Sequence, residues 1–400
     1  MSFRRCAAAV ALAAAITWSA DAQPRRLPGD STVAPGVIWR RVVDPAGPWV
    51  INVVWVDLRG GRYDVRQVRA KDQLVAREKV SEMAARQPEG AGRVVAAINA
   101  DFFNVQTGEN EGNQVIGGEW WKGVRGTNSP YDAFDNVHAQ FGLDARGRPL
   151  LDRFALEGSV IRGADAFPIF AVNFLPRGGP EVAVIYTDRI ATTPRDTVRL
   201  MIEWPLDLRA KRGDTAVYVL GGPSNKAGGN PIPTGGVVLA AYGPRSARLA
   251  TYAVGDTVRV VLRAAGNSGA GIPVSPSLLI GGWPRILQGG RNVAARAPWV
   301  EGTLSSNAEA RHPRSAVGFS ADSSRLILVT VDGRQAESVG VTLVELGNLM
   351  KGFGAWDALN FDGGGSTSLV VRGAVVNKPS DAAGERAVGN ALLIVAKVAR

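Results

Sequence analysis

The sequence has one cysteine and two histidines, and this scarcity excludes several kinds of site. Cys6 precedes an apolar run near the N-terminus, so a chain processed after this run would contain no thiol. Disulfides, thiolate metal sites and cysteine nucleophiles are then excluded. The two histidines, His138 and His312, are too few for a multi-histidine metal centre, and a zinc site of the usual ligand count is excluded with it.

Several familiar motifs are also missing. The chain has no G-x-S-x-G elbow, no P-loop and no dinucleotide-binding fingerprint. The formal net charge is +10, but the arginines are scattered and form no basic block with interleaved aromatic residues, so we expect no nucleic-acid partner. Carboxylates, arginines, amides, hydroxyls and glycine turns remain, and this set suits an anionic, hydroxyl-rich ligand.

The first 22 residues have the pattern of a secretory signal peptide. Arg4 and Arg5 precede the apolar run at 7–18, and Ala20-Asp21-Ala22 forms a small-residue cleavage site. The run is short for a membrane span, which disfavours the alternative of an uncleaved anchor. We therefore expect a secreted or periplasmic protein with no transmembrane segment after signal cleavage.

The remaining chain predicts an α+β or mixed α/β fold. Its 48 glycines and 23 prolines favour many turns, and most apolar runs are short and strand-like. Helical spacing occurs mainly within 71–86 and 338–350. We predict a strand-rich core sheet with a few packed helices, organised as a signal peptide at 1–22, an extended leader at 23–36, and one domain at 37–400 that contains a β-rich insertion at 155–275.

The most informative stretch is 357–371, in which Asp362 and three glycines separate two apolar runs. Glycines permit a sharp turn and let a ligand approach the backbone closely. Free N–H groups in such a turn would form an anion-binding nest, with Asp362 at its rim. The alternative is a tight hairpin in which the glycines serve geometry alone.

Polar residues recur where apolar strands end. If these strands share one sheet, their ends could converge on one cleft, although each polar residue alone is more typical of a turn cap. The residues are Asn99 and Asp101, Asp332 and Arg334, Asn360 and Asp362, and Asn377 and Asp381.

Taken in order, several motifs resemble the phosphodiester glycosidase domain family, to which N-acetylglucosamine-1-phosphodiester alpha-N-acetylglucosaminidase belongs. They cover roughly residues 40–400 and are densest after 280. They read Asn99-Ala100-Asp101-Phe102-Phe103, Gly281-Gly282-Trp283-Pro284, Arg314 before Ala316-Val317-Gly318, Val331-Asp332-Gly333-Arg334, Leu359 to Thr367, and Asn377-Lys378-Pro379-Ser380-Asp381 with Arg386 and Asn390. The chain departs from the family at Ala100-Asp101, where glycines are common, and it lacks the cysteine-rich segments of the animal enzyme.

The resemblance implies hydrolysis of a sugar-1-phosphodiester, in a glycan or envelope polymer, at the anomeric carbon. Phosphate is a good leaving group, so the main requirement is to bind it and stabilise developing charge. The catalytic carboxylate implied is Asp362, as nucleophile or as base for water, with Asp101 or Asp332 as the second. The substrate-binding residues implied are Asn99, His312, Arg314, Asn360, Gly363, Gly364, Gly365, Ser366, Thr367, Asn377 and Arg386.

Two further alternatives concern function, and one concerns a metal. The chain could be a non-catalytic carbohydrate-binding protein of the cell envelope, or a glycosidase or transferase that acts on phosphate-free substrates. No cofactor is required for any of these readings. Aspartates and carbonyls in the loops could nevertheless hold a structural Ca²⁺.

Overall fold

The structure is a computed structural model that describes residues 30–398, except positions 89, 91, 128, 130, 131, 135, 176–180 and 268–272. The predicted signal peptide at 1–22 lies outside the described residues, as does the leader up to residue 29. The final part of the leader contributes a strand, β1 (Ser31–Ala34), which pairs with the next strand of the chain.

Short strands make up most of the described chain. The first thirteen are β1 (Ser31–Ala34), β2 (Val37–Asp44), β3 (Trp49–Asp57), β4 (Tyr63–Arg69), β5 (Arg93–Asn99), β6 (Gln114–Ile116), β7 (Glu119–Val124), β8 (Ala139–Leu143), β9 (Pro149–Arg162), β10 (Asp165–Ile169), β11 (Ala171–Val172), β12 (Val182–Thr187) and β13 (Met201–Arg212). The others are β14 (Thr215–Leu220), β15 (Val237–Tyr242), β16 (Thr257–Gly266), β17 (Pro273–Val274), β18 (Leu278–Gly281), β19 (Arg285–Gln288), β20 (Arg291–Asn292), β21 (Arg314–Phe319), β22 (Arg325–Val331), β23 (Asp357–Phe361), β24 (Leu369–Val371), β25 (Ala374–Val375) and β26 (Asn390–Ala396).

Within the described residues these strands form three sheets rather than the single core sheet that the sequence predicts. An eight-stranded sheet has the order β1-β2-β3-β22-β21-β23-β19-β20, and a five-stranded sheet has the order β25-β24-β5-β26-β4. A thirteen-stranded sheet has the order β10-β9-β8-β18-β6-β7-β11-β12-β15-β13-β14-β16-β17. In this sheet β9 also pairs with β16, which closes eleven of its strands into a ring.

The eight- and five-stranded sheets pack face to face around the main core. Leu328 and Leu359 from one sheet meet Ile98 and Leu392 from the other, and Phe141 of β8 closes one side. Because side chains alternate along a strand, the neighbouring residues of the same strands point away from this core. Their apolar side chains must be buried by a further layer on the outer face of each sheet. Helices provide it on both sides, so this half of the molecule has four layers: helix, sheet, sheet, helix.

Five α-helices occur in the described part of the chain: α1 (Val80–Ala85), α2 (Pro244–Leu249), α3 (Ala297–Val300), α4 (Ser305–Ala308) and α5 (Leu343–Gly352). Helix α1 covers the outer face of the five-stranded sheet, and α5 covers that of the eight-stranded sheet. Helix α1 lies within the first stretch for which helical spacing predicts a helix, and α5 overlaps the second but ends two residues beyond it, at Gly352. The second begins at Leu343 instead of Ser338, because Thr342 caps it.

Replacing Thr342 with Ala should lower the free energy of unfolding by about 1 kcal/mol. Thr342 Oγ1 accepts the N–H of Glu345 at 3.1 Å, and the Glu345 carboxylate accepts the N–H of Thr342 at 2.9 Å, so the alanine leaves one helical donor unpaired. Urea unfolding would measure the loss. Thr342→Ser keeps the hydroxyl and should retain most of the stability; an equal loss in both variants would contradict this account.

The predicted insertion at 155–275 supplies many strands of the ring. Its strands belong to the same sheet as β6, β7, β8 and β18. They are therefore hydrogen-bonded into one sheet with residues before and after the predicted boundaries. No comparison bears on those boundaries, and they stay a prediction. Among the described residues, no helix is both long and apolar enough to cross a membrane.

Candidate active site

The glycine-rich stretch is the crossing between the two stacked sheets. Strand β23 ends at Phe361 in the eight-stranded sheet, and β24 begins at Leu369 in the five-stranded sheet. The chain turns through a short 3₁₀ segment, in which Gly364 has φ +60°, a conformation that favours glycine. At Gly365 a β-carbon would collide with the Arg386 and Asp381 side chains, so a glycine is needed for the close approach of the Arg386 guanidinium.

The turn does not provide the free anion nest that the sequence suggests. Gly364 donates its N–H to the Pro313 carbonyl at 2.9 Å, and Ser366 and Thr367 donate theirs to carbonyls of the turn itself at 3.2 Å. Gly363 donates its N–H to the Asp362 carboxylate. With these donors already paired, positive charge for an anionic ligand must come from side chains.

Asp362 is held in place by its backbone. Its N–H donates to the Ala100 carbonyl at 2.7 Å, and its own carbonyl accepts Asn99 Nδ2 at 2.7 Å. Burial raises the pKa of the Asp362 carboxyl to about 6, while the hydroxyl of Ser366 and the charges of Arg386 and Arg314 limit the rise. A carboxyl with such a pKa can accept or release a proton near neutral pH.

Asp362 opens into a cleft of about 340 Å³. Among the described residues that line it, Asp362 is the one carboxylate, and three arginines share the cleft with it. Two phenylalanines form an apolar wall on the side of β5. The lining residues are Phe102, Phe103, Val105, Ser306, Asn307, His312, Arg314, Arg334, Asp362, Gly363, Gly364, Gly365 and Arg386.

Arg314 is the buried cation of the cleft, with only 2% of its surface exposed. Its guanidinium donates to the carbonyls of Val341, Asn307 and Ala310 at 2.6–3.3 Å, and to Asn307 Oδ1 at 3.3 Å. Burial lowers the pKa of Arg314 to about 10, so it stays charged at neutral pH. Within the described chain no salt bridge neutralises it, which leaves its charge available to an anionic ligand.

Arg386 and Arg334 complete the positive charge of the cleft. Arg386 forms a two-pronged ion pair with Asp381, at 2.7 and 3.0 Å, and also contacts Ser366 Oγ at 3.5 Å. Arg334 is exposed, and no carboxylate within the described residues forms a salt bridge with it. Its φ of +59° is uncommon for a non-glycine residue, and such backbone conformations are concentrated at functional sites.

His312 lies between the two unpaired arginines. Its Nδ1 accepts a hydrogen bond from Arg334 at 3.3 Å. Burial, together with the charges of Arg314 and Arg334, lowers the pKa of His312. The imidazole is therefore neutral at neutral pH and orients Arg334.

The structure thus brings seven of the predicted site residues to one cleft: His312, Arg314, Asp362, Gly363, Gly364, Gly365 and Arg386. The other substrate-binding candidates do not line it, because their side chains are used to hold the turn together. Asn99 bonds Ser315 and Ser368 as well as Asp362, and Asn377 bonds Leu369 and Thr367. Asn360 donates to the Trp283 carbonyl.

Ser366 and Thr367 are also buried and lie outside the lining of the cleft. Ser366 acts on the cleft indirectly, since its hydroxyl contacts both Asp362 and Arg386. Thr367 keeps a buried hydroxyl with no hydrogen-bond partner among the described residues. Asn99, Asn360, Thr367 and Asn377 therefore lie outside the lining of the cleft, and their contacts with a substrate stay a prediction.

Neither predicted second carboxylate lies at the cleft. Asp101 is buried and accepts the Gly112 N–H at 3.0 Å and Gln114 Nε2 at 2.8 Å. Asp332 is buried and accepts the Lys378 N–H at 3.1 and 3.2 Å. Burial raises the pKa of Asp101 to about 7 and that of Asp332 to about 6, but the contacts of both carboxylates fix loops.

Six residues that line the cleft were not among the predicted site residues, although Arg334 was named at a strand end: Phe102, Phe103, Val105, Ser306, Asn307 and Arg334. Phe102, Phe103 and Arg334 stand inside the quoted motifs, and the aromatic pair and the lone arginine after a strand were the available signals. Asn307 gave no signal, because it lies in a short helix without a recognisable pattern.

A family model described as phosphodiester glycosidase matches residues 214–395, which contain Arg314, Arg334, Asp362 and Arg386. Residues 214–395 belong to the phosphodiester glycosidase family. The phenylalanine wall of the cleft lies outside the matched range. The Asp362 turn and the three arginines of the cleft lie within the matched range.

The similarities to individual proteins are more distant. The SPbeta prophage-derived uncharacterized protein YomE of Bacillus subtilis (strain 168) is 35% identical over 118 residues, 27% of this chain and 18% of that protein. A hypothetical protein from Synechocystis has the same fold, with a TM-score of 0.67 and 22% identity over 94% of this chain and 64% of its own. BPSS2145 of Burkholderia pseudomallei K96243, whose name describes it as exported, gives a TM-score of 0.64 and 23% identity over 87% of this chain and 74% of its own.

Proposed function

We propose that this protein hydrolyses a sugar-1-phosphodiester, a bond of the type in N-acetylglucosamine-1-phosphodiesters. The observation that carries the proposal is the composition of the cleft: one carboxyl with a pKa of about 6 faces three arginines. Arginine suits phosphate because its planar guanidinium can donate two parallel hydrogen bonds. A cleft for neutral sugars alone would have no need for this excess of positive charge.

The proposed reaction transfers the sugar to water. Water adds to the anomeric carbon, and its proton passes to Asp362. The bond between the anomeric carbon and the phosphate oxygen breaks, and its electron pair leaves with the phosphate. The products are a free sugar and a phosphomonoester. Asp362 could alternatively attack as the nucleophile and form a glycosyl ester that water then opens.

Each group of lining residues has a role in this proposal. Arg314 and Arg334 bind the phosphate and stabilise the negative charge that grows on it as the bond breaks. Arg386, already paired with Asp381, holds Ser366 and the turn against Asp362. Phe102 and Phe103 are almost fully buried and supply an apolar wall that excludes water from one side of the sugar.

We further propose that the protein is exported, on the basis of the signal pattern at 1–22. Its substrate would then be a glycan phosphate of the envelope or the surroundings. The structural Ca²⁺ that the sequence left open as an alternative has no role in the proposed reaction. Among the described residues, no three His, Cys, Asp or Glu side chains cluster as a metal site would need.

A substrate screen tests the proposed function. Purified protein would be incubated with sugar-1-phosphodiesters and with matched aryl glycosides that carry no phosphate. We expect release of sugar from the phosphodiesters only. Cleavage of the aryl glycosides alone would support the phosphate-free alternative. Glycan binding without any cleavage would support the non-catalytic one.

Replacing Arg334 with Ala should raise KM for a sugar-1-phosphodiester roughly ten-fold, the loss of one charge-assisted hydrogen bond to phosphate. Arg334 is exposed, so the fold should be unaffected. Steady-state kinetics would measure the change. Arg209→Ala removes an exposed arginine from β13 and serves as the control. An equal KM for both variants would remove Arg334 from the phosphate site.

A further inference from the structure

A second acidic residue, Glu111, is joined to the wall of the cleft, because its N–H donates to the Phe102 carbonyl at 2.9 Å. It is partly buried, and its Oε1 accepts the hydroxyl of Ser129 at 3.1 Å. Its Oε2 is fully buried and has no hydrogen-bond partner among the described residues. A buried carboxyl oxygen without a donor is rare, because burial of an unpaired charge is costly. Glu111 is therefore best suited to the neutral, protonated state.

One short backbone segment connects Glu111 to Asp362. The N–H of Asp362 bonds the carbonyl of Ala100 at 2.7 Å, and the N–H of Glu111 bonds the carbonyl of Phe102 at 2.9 Å. Two residues of chain span at most about 7 Å, so the two acidic residues are anchored close together. Phe102 is itself part of the cleft wall.

The charges around Glu111 come from four other segments. Asp101 accepts the N–H of the adjacent Gly112, and Lys122 interacts with Asp101 from β7. Asp132 binds His138 Nε2 at 2.8 Å, and the His138 ring stacks on Trp283. Burial is the main cause that raises the pKa of Glu111 to about 7. The charge of Asp362 and that of Asp132 raise it further, while His138 and Ser129 oppose the rise.

We propose that Glu111 is a positioning residue of the active site, which remains protonated while the neighbouring Asp362 carries the catalytic negative charge. Its kinetic consequence depends on the proposed function. An ionised Glu111 would place a second negative charge behind Asp362 and oppose both the ionised Asp362 and the bound phosphate. Activity should therefore fall as Glu111 loses its proton.

The interaction between the two carboxyls must be reciprocal. Because the Asp362 charge disfavours ionisation of Glu111, removing that charge must ease it, and the two groups titrate as a coupled pair. In a variant with a neutral residue at 362, the pKa of Glu111 should fall by roughly one unit, the usual size of such charge effects. This expectation holds whether or not the protein cleaves a given substrate.

The first experiment is a ¹³C NMR titration of glutamate side-chain carboxyls in the folded, full-length protein. The Glu111 signal is assigned by its disappearance in Glu111→Gln. We expect its midpoint to fall in Asp362→Asn and to remain unchanged in Glu109→Gln, which alters an acid of the same loop that pairs instead with Lys122. An unchanged Glu111 midpoint in Asp362→Asn would overturn the proposal.

The second experiment is the pH dependence of kcat/KM for a sugar-1-phosphodiester. In the native protein we expect activity to rise near pH 6 and fall above about pH 7, as Asp362 and then Glu111 lose their protons. Glu111→Gln should remove the alkaline fall and keep the acidic rise, and Glu109→Gln should keep both. An alkaline fall that persists in Glu111→Gln would also overturn the proposal.

The two experiments separate this inference from the proposed function. Coupled titration without cleavage of any phosphodiester would leave the carboxyl pair intact and reject the proposed reaction. Cleavage of a phosphodiester by a protein in which Glu111 and Asp362 titrate independently would support the proposed reaction and reject the coupled carboxyl pair. If Glu111→Gln does not fold, Glu111→Asp serves to assign the Glu111 signal, and the Asp362→Asn titration still decides because that variant leaves Glu111 in place.

Discussion

Replacing Asp362 with Asn should lower kcat/KM for a sugar-1-phosphodiester by roughly 10²–10⁴-fold, the usual contribution of a positioned acid–base group. The amide keeps the size of the side chain and its bond with Ser366, but it cannot take a proton from water or attack as a nucleophile. Since Asp362 hydrogen bonds with Ala100 and Asn99 through its backbone, the turn should keep its shape. Steady-state rates and a circular dichroism spectrum would measure activity and fold together.

The matched control for this variant is Asp357→Asn at the other end of the same strand. Asp357 is also a partly buried carboxyl whose pKa is raised by burial, but it lies beside Arg285, about 16 Å along the strand from Asp362. We expect Asp357→Asn to keep near-native activity. Full activity in Asp362→Asn would remove Asp362 from the reaction, and an equal loss in both variants would indicate general damage to β23.

Replacing Arg314 with Ala should reduce the free energy of unfolding by roughly 2–4 kcal/mol, in addition to any loss of activity. The alanine leaves the partly buried carbonyls of Asn307 and Ala310 without their donor, and the Val341 carbonyl keeps only the N–H of His312. These carbonyls belong to α4 and to loops on one side of the cleft. The variant therefore loses the support of that side together with the positive charge that would bind phosphate. Urea unfolding would give the stability change, and kinetics on folded protein would give the activity change.

Two variants separate the structural part of this effect from the electrostatic part. Arg314→Lys keeps the charge but lacks the forked guanidinium, so it should recover part of the activity and less of the stability. Arg311→Ala removes a surface arginine paired with Glu345, an interaction worth at most about 1 kcal/mol. If Arg314→Ala were as stable as Arg311→Ala, the hydrogen bonds of Arg314 would not be a major support of the cleft.

The sequence alone determined the local elements and the family resemblance. Apolar alternation and helical spacing depend on neighbours in the chain, so strands such as β22 and β26 and the helix before residue 352 could be predicted. The order of the motifs indicated the family, and seven residues of the cleft were among those named. These successes concern features that are encoded within about fifteen residues.

The tertiary structure decided which polar side chains are available to a ligand. Asn99 looked like a binding residue at a strand end, but its partners Ser315, Asp362 and Ser368 lie more than 200 positions away. The anion nest failed for the same reason, since the Pro313 carbonyl takes the N–H of Gly364. Arg334 matters because no carboxylate of the described structure forms a salt bridge with it, and Glu111 matters because its Oε2 has no hydrogen-bond donor there. Because a buried polar group must find a partner, and that partner comes from any part of the chain, only the folded structure shows which groups remain for chemistry.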